Sequence, residues 1–321
     1  MNNTEPPDIS VLLATIGAPR HALTMRELKP LSAIAPEEYR QFQLAWRKIA
    51  VERRLMIVQA LVDLAEDNVD LDFRQILRWC LEDEQADVRL RAIEGLWEHE
   101  SPAFMRQLIT MMRSDPAESV RVSAATALSP FVYRAVMGEI DEDSALPLYT
   151  ALVEILDDQR QPAELRRRAL ESAGYFADEA IEAQIARYYA SNDQLLCESA
   201  LMAMGRSMLS RWLPMIAGEL VHTSPARRYE AARAAGEYGE DGRSLVPQLV
   251  PLLNDTDNEV AEMAIWALGQ IGGSAARRAL QQMSNSRHEA RRQAAIEALE
   301  ELELEGGSLG GDWRQGKERQ N

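Results

Sequence analysis

The stretch VAEMAIWALG at residues 260–269 decides the fold, because the chain repeats its wording. An aliphatic residue opens the phrase, small residues follow, and Ala/Leu-Gly closes it. The same pattern reads VRLRAIEGLW at 88–97, VRVSAATALS at 120–129, LRRRALESAG at 165–174, LCESALMAMG at 196–205 and RRYEAARAAG at 227–236. Degenerate copies stand at either end, RRLMIVQALV at 53–62 and RRQAAIEALE at 291–300. The closing positions 62, 97, 129, 174, 205, 236, 269 and 300 are 35, 32, 45, 31, 31, 33 and 31 residues apart. A period near 31 with one insertion marks an array of supersecondary units.

Before each phrase lies a second apolar segment of helical spacing, for example FRQILRWCLED at 73–83, FMRQLITMMRSD at 104–115 and LVPQLVPLLND at 245–255. Each unit is therefore a helix pair. Asp83, Asp115, Asp158, Asp193 and Asp255 end the first helices or open the link to the second. There a carboxylate can accept the unpaired amide hydrogens of a helix's first turn, so these residues are expected to be N-caps. Gly174, Gly205, Gly236 and Gly269 stand where the second helix must end or pack closely. One hairpin cannot bury its apolar face alone, so neighbours bury it for each other. The expected fold is all-α, a right-handed α-solenoid of about eight helix pairs over residues 37–305.

Composition agrees. Apolar residues make up 46% of the 321, enough for a continuous core, while only 6% are aromatic, which favours closely packed helices over a β-sandwich. Residues 1–36 read as a capping segment and 306–321, GGSLGGDWRQGKERQN, as a flexible tail in which Trp313 stands out. The long interval holds an insertion at 131–146, expected to carry a helix past Pro130 and then form an acidic loop.

These phrases resemble the short HEAT repeats of the phycobilisome-lyase-like class of bacteria, through an Asp, then Val-Arg, then Ala and Ala-Leu-Gly at fixed offsets. The match runs from about residue 73 to 302 and more weakly from 37 to 72. The resemblance implies HEAT-type helix pairs and leaves function open, since the class spans chaperone-like, regulatory and enzymatic members.

Chemistry is sparse. His21, His99, His222 and His288 include no pair at the spacing that sets two metal ligands on one helix face. There is no phosphate-binding loop, no GxSxG and no CxxC. Deoxyhypusine hydroxylase, a relative of this repeat class, binds two irons through His-Glu dipeptides. His99-Glu100 and His288-Glu289 are two such dipeptides, but neither holds that family's place in the repeat. Cys80 and Cys197 read as free core thiols. No metal and no cofactor is expected, nor an enzyme. Against 35 Lys+Arg stand 51 Asp+Glu, a formal charge of −16, which repels nucleic acid and anionic lipid. Without a signal peptide or a membrane-length apolar run, a cytoplasmic protein is expected.

Counting back from the closing position as zero, helical geometry places positions −9, −5, −2 and −1 toward the core and −7, −3 and +1 outward. The recurring Arg54, Arg89, Arg121, Arg166, Arg228 and Arg292 hold one position and are expected to form a structural ladder, each bridging to an acid of a neighbouring turn. The outward row carries Tyr175, Met202, Arg206, Tyr229, Arg233 and Trp266, interspersed with Glu171, Glu198, Glu237 and Glu262. Tyr, Trp and Arg dominate interface hot spots, and Met adapts to irregular partners. In HEAT-like proteins second helices line the concave surface, so the resemblance implies that this row meets a partner. Leu55, Leu90 and Val122 hold the same row in the N-terminal repeats, where residues 1–36 are expected to cover them. The functional expectation is a non-enzymatic protein-binding scaffold whose acidic surroundings favour a basic partner segment. The alternative is a ligand-handling, lyase-like accessory protein, which needs a defined pocket with convergent polar groups.

Overall fold

The computed structural model describes residues 8–309, with side chains described through 304. Every regular element among the described residues is a helix. The chain divides into two compact units, Met1–Ala169 and Leu170–Asn321, and each is described by itself.

In the first unit α1 (Ile9–Ile16), α2 (Met25–Leu28) and a 3-10 turn (Lys29–Leu31) precede the repeats. Then come α3 (Pro36–Trp46) with α4 (Val51–Asp67), α5 (Arg74–Cys80) with α6 (Ala86–Glu94), and α7 (Pro102–Ser114) with α8 (Glu118–Ala127). The helix α9 (Ser129–Val136) intervenes before α10 (Glu142–Asp157) and α11 (Ala163–Ala173), the last of which runs across the boundary between the units. The second unit continues with α12 (Glu179–Tyr189) and α13 (Gln194–Ser207), α14 (Leu213–Glu219) and α15 (Pro225–Glu237), α16 (Val246–Leu252) and α17 (Asn258–Ile271), and α18 (Gly273–Met283) and α19 (Glu289–Leu309). Leaving α1, α2 and α9 aside, these are eight helix pairs, and every repeated phrase falls on the second helix of its pair.

The packing follows the apolar spacing. Second helices stack on second helices, α4 on α6 on α8 in the first unit and α13 on α15 on α17 on α19 in the second. Ala200, Ala203 and Met204 of α13, Ala231, Ala234 and Ala235 of α15, and Ala264, Ala267 and Leu268 of α17 are buried, all at positions −5, −2 and −1. The phrase ends in glycine where these helices approach most closely. A β-carbon built on Gly174 or on Gly205 lies 2.8 Å from the Cα of Ala203 or of Ala234, and one on Gly236 lies 3.0 Å from that of Ala267. Gly269 faces Ala298 in the same way, 3.1 Å from its Cβ. Backbone thus meets backbone across the stack, with Ala at −2 as the largest side chain that fits. The link from α17 to α18 is a single residue, and Gly272 and Gly273 take φ of +62° and +78° there, a conformation that side chains disfavour.

Three local expectations need correction. Asp83, Asp115 and Asp255 are not N-caps: those positions belong to Gln85, Ala117 and Asp257, two residues on. Each aspartate instead closes a turn, its Oδ1 accepting the amide of that residue at 2.9 Å. Of the five aspartates, Asp193 is the one that caps directly. At the insertion, α8 stops at Ala127 and a fresh helix begins with Pro130 in its first turn, where a missing amide hydrogen is no loss. The acidic run then forms the first turn of α10, capped by Asp141, because carboxylates there face the positive end of the helix. At the other end α19 runs to Leu309, four residues into the stretch expected to be a tail, while Trp313 lies outside the described residues.

These contacts predict opposite outcomes at two glycines. Gly205→Leu forces α13 and α15 apart and should destabilise the protein by about 2–3 kcal/mol. Gly218→Ala, at an exposed helical site with nothing within 4 Å of the new methyl, should stabilise it by about 0.5–1 kcal/mol. Thermal or urea unfolding of the two variants checks both signs.

Candidate functional site

The recurring arginines occupy the junctions between repeats. Arg89 on α6 places Nε and Nη2 on the Asp115 carboxylate, at 2.8 and 2.6 Å, and Nη1 on the carbonyl of Asp83 at 2.7 Å. Arg54 on α4 reaches Asp83 at 2.7 Å and Glu84 at 2.6 Å. Arg228 on α15 grips Asp255 at 2.7 and 2.8 Å and returns Nη1 to the His222 carbonyl at 2.8 Å. In these three cases the guanidinium of one repeat holds the aspartate that ends the first helix of the next. The same Asp83 oxygen also accepts the indole N–H of buried Trp46 at 2.8 Å. Arg121 donates to the Asp115 carbonyl at 2.8 Å, and Arg166 to the Gln161 carbonyl and the Gln159 side chain. Arg292 donates to the Ser286 carbonyl at 3.4 Å and stands 3.7 Å from Glu289 on its own helix. The Arg228 guanidinium beside Asp255 holds that carboxyl below the usual aspartate value, the hydrogen bond being the largest cause.

Each side chain of the outward row has a definite setting. The Arg206 guanidinium lies 5.0 Å from the Tyr175 ring centre and donates to the Glu171 carbonyl, so Tyr175 and Arg206 engage each other. Arg233 pairs with Glu230 one turn back on α15 at 2.8 Å. Trp266 lays its ring over Gly236, 2.4 Å from where a β-carbon would stand there, and remains 36% exposed. Met202, Arg233 and Trp266 hold position −3 on three helices that pack in succession. Glu171 departs from the row. It is buried and accepts the Ser199 hydroxyl at 2.6 Å, a bond that draws position −3 of α11 into the junction with α13. Leu55, Leu90 and Val122 remain half-buried.

Tyr229 lines an open notch of about 440 Å³. Its walls are the first turns of three consecutive second helices, bringing Gln194 and Glu198 from α13, Ser224, Pro225, Ala226 and Glu230 from α15 and its start, and Asp257, Glu259 and Val260 from α17 and its cap. Asp257 is engaged in capping α17, and Glu230 faces Arg233. Glu198 is bonded to the Gln194 amide at 2.8 Å, and Glu259 is exposed. The notch is an aromatic face with an acidic surround.

A buried polar cluster escaped the sequence reading. Glu219, 5% exposed, accepts the Tyr189 hydroxyl at 2.7 Å and a bond from Arg227, whose guanidinium also lies 3.2 Å from His222. Burial, and then Glu219, pushes the Tyr189 phenol up to about 12. The cluster ties α12, α14 and α15 together across two repeats. Arg227 stands at −9, where Val88, Val120, Leu165, Leu196 and Val260 are aliphatic and only the degenerate end copies also carry arginine, Arg53 and Arg291. That departure inside the array was the available signal. Among the described residues, no group of three or more His, Cys, Asp and Glu is placed to hold a metal ion. None of the described helices is long and apolar enough to cross a membrane.

Comparison with known proteins agrees with this architecture. Residues 209–300 match the family described as HEAT repeats. The complex of CpcE and CpcF of phycocyanin lyase from Nostoc sp. is similar in fold, with 18% identity, 70% of this chain and 86% of that chain covered and a TM-score of 0.51. Yeast importin-β is similar at 13% identity over 92% of this chain, with a TM-score of 0.53; the match covers 46% of importin-β. No curated protein sequence matches the chain. The chain folds as an α-solenoid of helix pairs, and its residues 209–300 carry the HEAT-repeat match.

The Arg–Asp junctions yield a prediction with a sign in pH. Asp255 has a depressed folded value, so its contribution is complete above the ordinary aspartate pKa of 3.8 and is lost as pH falls through the lower folded value. Arg228→Met should cost about 2–3 kcal/mol at neutral pH. It should also shift the acid-unfolding midpoint upward, as urea titrations between neutral and strongly acidic pH will show.

Proposed function

We propose that the protein is a non-enzymatic scaffold that holds a protein segment along the outward row of its second helices, with the Tyr229 notch receiving a Lys or Arg side chain. The supporting observation is the composition of that notch: a half-buried tyrosine ring between Glu198 of the repeat before it and Glu259 of the repeat after it. A cation over a tyrosine face gains about 0.5–2 kcal/mol, more as water is excluded. Flanking carboxylates add attraction that speeds encounter more than it sets affinity. A chain of net charge −16 strengthens that field. HEAT solenoids commonly bind proteins, and the repeat geometry suits an extended ligand that crosses several helices. The setting is the cytoplasm.

Within this reading Tyr229 and Glu259 make the contact. Arg233 orders Glu230, and Trp266 supports the α15–α17 junction through Gly236 as well as presenting an edge. A Trp266 truncation therefore mixes packing with binding, and the cleaner probe is Tyr229→Ala/Glu259→Lys.

Affinity purification of the wild type beside that double variant tests the assignment. The expected result is a basic partner retained by wild type and bound about tenfold or more weakly by the variant, a loss of about 1.4 kcal/mol or more, with unchanged thermal unfolding. Equal retention by both proteins would remove the notch from the binding surface, and an acidic partner would overturn the charge argument.

A further inference from the structure

The first unit holds a second notch, which the repeated phrases do not explain. It lies where α4 ends, the 68–73 link crosses and α6 ends, and it encloses about 440 Å³. Val62, Phe73, Leu77 and Leu96 line its floor and are buried. Gly95 keeps the floor open: a β-carbon there would come within 2.4 Å of Val62 Cγ2. At the mouth stand two apolar side chains that the core leaves outside, Val69 at 96% exposure and Trp97 at 67%. Trp97 occupies the closing position of its phrase, which is glycine in four later repeats. The indole stands at the rim of the notch where those repeats have a hydrogen.

The charges around the mouth are mainly acidic, with exposed Arg78 beside His99 and Arg91 near Glu66 as the nearby bases. Arg74 is paired with Asp72 through bonds of 2.8 and 2.6 Å. Burial, then Arg78 and Arg74, lowers the His99 pKa, so its ring is neutral at neutral pH. Glu66 and Glu98 complete the lining, and neither has an ion-pair partner among the described residues. Exposed Asp67 and Asp70 follow on the same link. Water against Val69, Trp97 and the apolar floor favours an apolar occupant, and the unpaired carboxylates favour cations beside it.

We propose that this notch seats an apolar side chain of a partner polypeptide flanked by Lys or Arg, with Trp97 and Val69 closing on the apolar group and Glu66 and Glu98 on the flanking charges. The inference rests on the protein-binding reading above, yet it concerns a separate unit and separate residues, so the two sites fail independently.

The probes are three synthetic capped peptides, Lys-Lys-Ala-Phe-Ala-Lys-Lys, its Phe→Ala analogue, and a version with Glu in place of every Lys, titrated into the intact protein by calorimetry. The Phe peptide should bind, the Ala analogue about tenfold more weakly or worse, and the Glu version not at all. Trp97→Ala/Val69→Asp changes only exposed side chains and should reproduce the loss seen with the Ala analogue. Glu66→Lys/Glu98→Lys should abolish the preference for Lys over Glu, while Tyr229→Ala should leave Phe-dependent binding unchanged. Equal binding of the Phe and Ala peptides, or unchanged affinity in Trp97→Ala/Val69→Asp, would overturn the proposal. A Phe-dependent affinity lost only in Tyr229→Ala would also overturn it while sparing the other notch. Self-association of the free protein that Trp97→Ala abolishes would assign the notch to a second copy and overturn it too.

Discussion

The arrangement depends on one linkage, in which an arginine on the second helix of a repeat holds the aspartate that ends the first helix of the next. Arg54–Asp83, Arg89–Asp115 and Arg228–Asp255 all have this form. The aspartate is shared three ways: one oxygen organises its own turn, the carboxylate receives the guanidinium of the preceding repeat, and, at Asp83 and Asp115, the backbone carbonyl accepts the arginine of its own repeat. A buried carboxylate would be unfavourable alone, and so would a buried guanidinium. Satisfied jointly, they fix the angle at which one hairpin meets the next, which apolar packing alone leaves loosely defined. The glycine–alanine approach between second helices then sets the separation.

The parts of this architecture legible in the sequence were those that repeat. The eight helix pairs, the buried positions −5, −2 and −1 and the close approach at Gly174, Gly205, Gly236 and Gly269 all follow from a 3.6-residue helix and a period near 31. What repetition does not encode was missed. Angular position alone set Glu171 outward, but the hydroxyl of Ser199 on the next repeat gives its carboxylate a better partner inside. The aspartates were read as caps because Asp before a helix usually is one, whereas the neighbouring arginine claims the carboxylate. The N-cap position falls two places on, where Asp257 caps with its side chain and Gln85 and Ala117 do not.

The surface proposed for binding was legible in outline only. Tyr229 was named from the row, yet its acidic surround comes from helix starts that lie far apart in sequence and converge through stacking. Tyr175, Arg206 and Arg233 carry interface-type side chains that already have intramolecular partners, which residue type cannot reveal. The Trp97 notch had a visible signal, a large aromatic where the phrase elsewhere ends in glycine, but its other wall is an irregular link. Both notches share a logic, an apolar or aromatic face bordered by carboxylates, in a chain whose acids outnumber its bases by 51 to 35.

The ring of Trp266 over Gly236 bears on how such an array can change over evolutionary time. At this one joint the residue at −3 of a repeat rests on the closing residue of the one before, so Trp266 and Gly236 form a lock and key divided between repeats. A duplicated or shuffled repeat would carry the key without its lock: α16–α17 placed after a phrase ending in a bulkier residue would set an indole against a side chain. Recombination would therefore succeed when the cut falls inside a hairpin, keeping each junction whole, and fail when it falls between hairpins. The unit to be kept whole there is the joint between repeats, where an indole at −3 requires a glycine at the close of the preceding phrase.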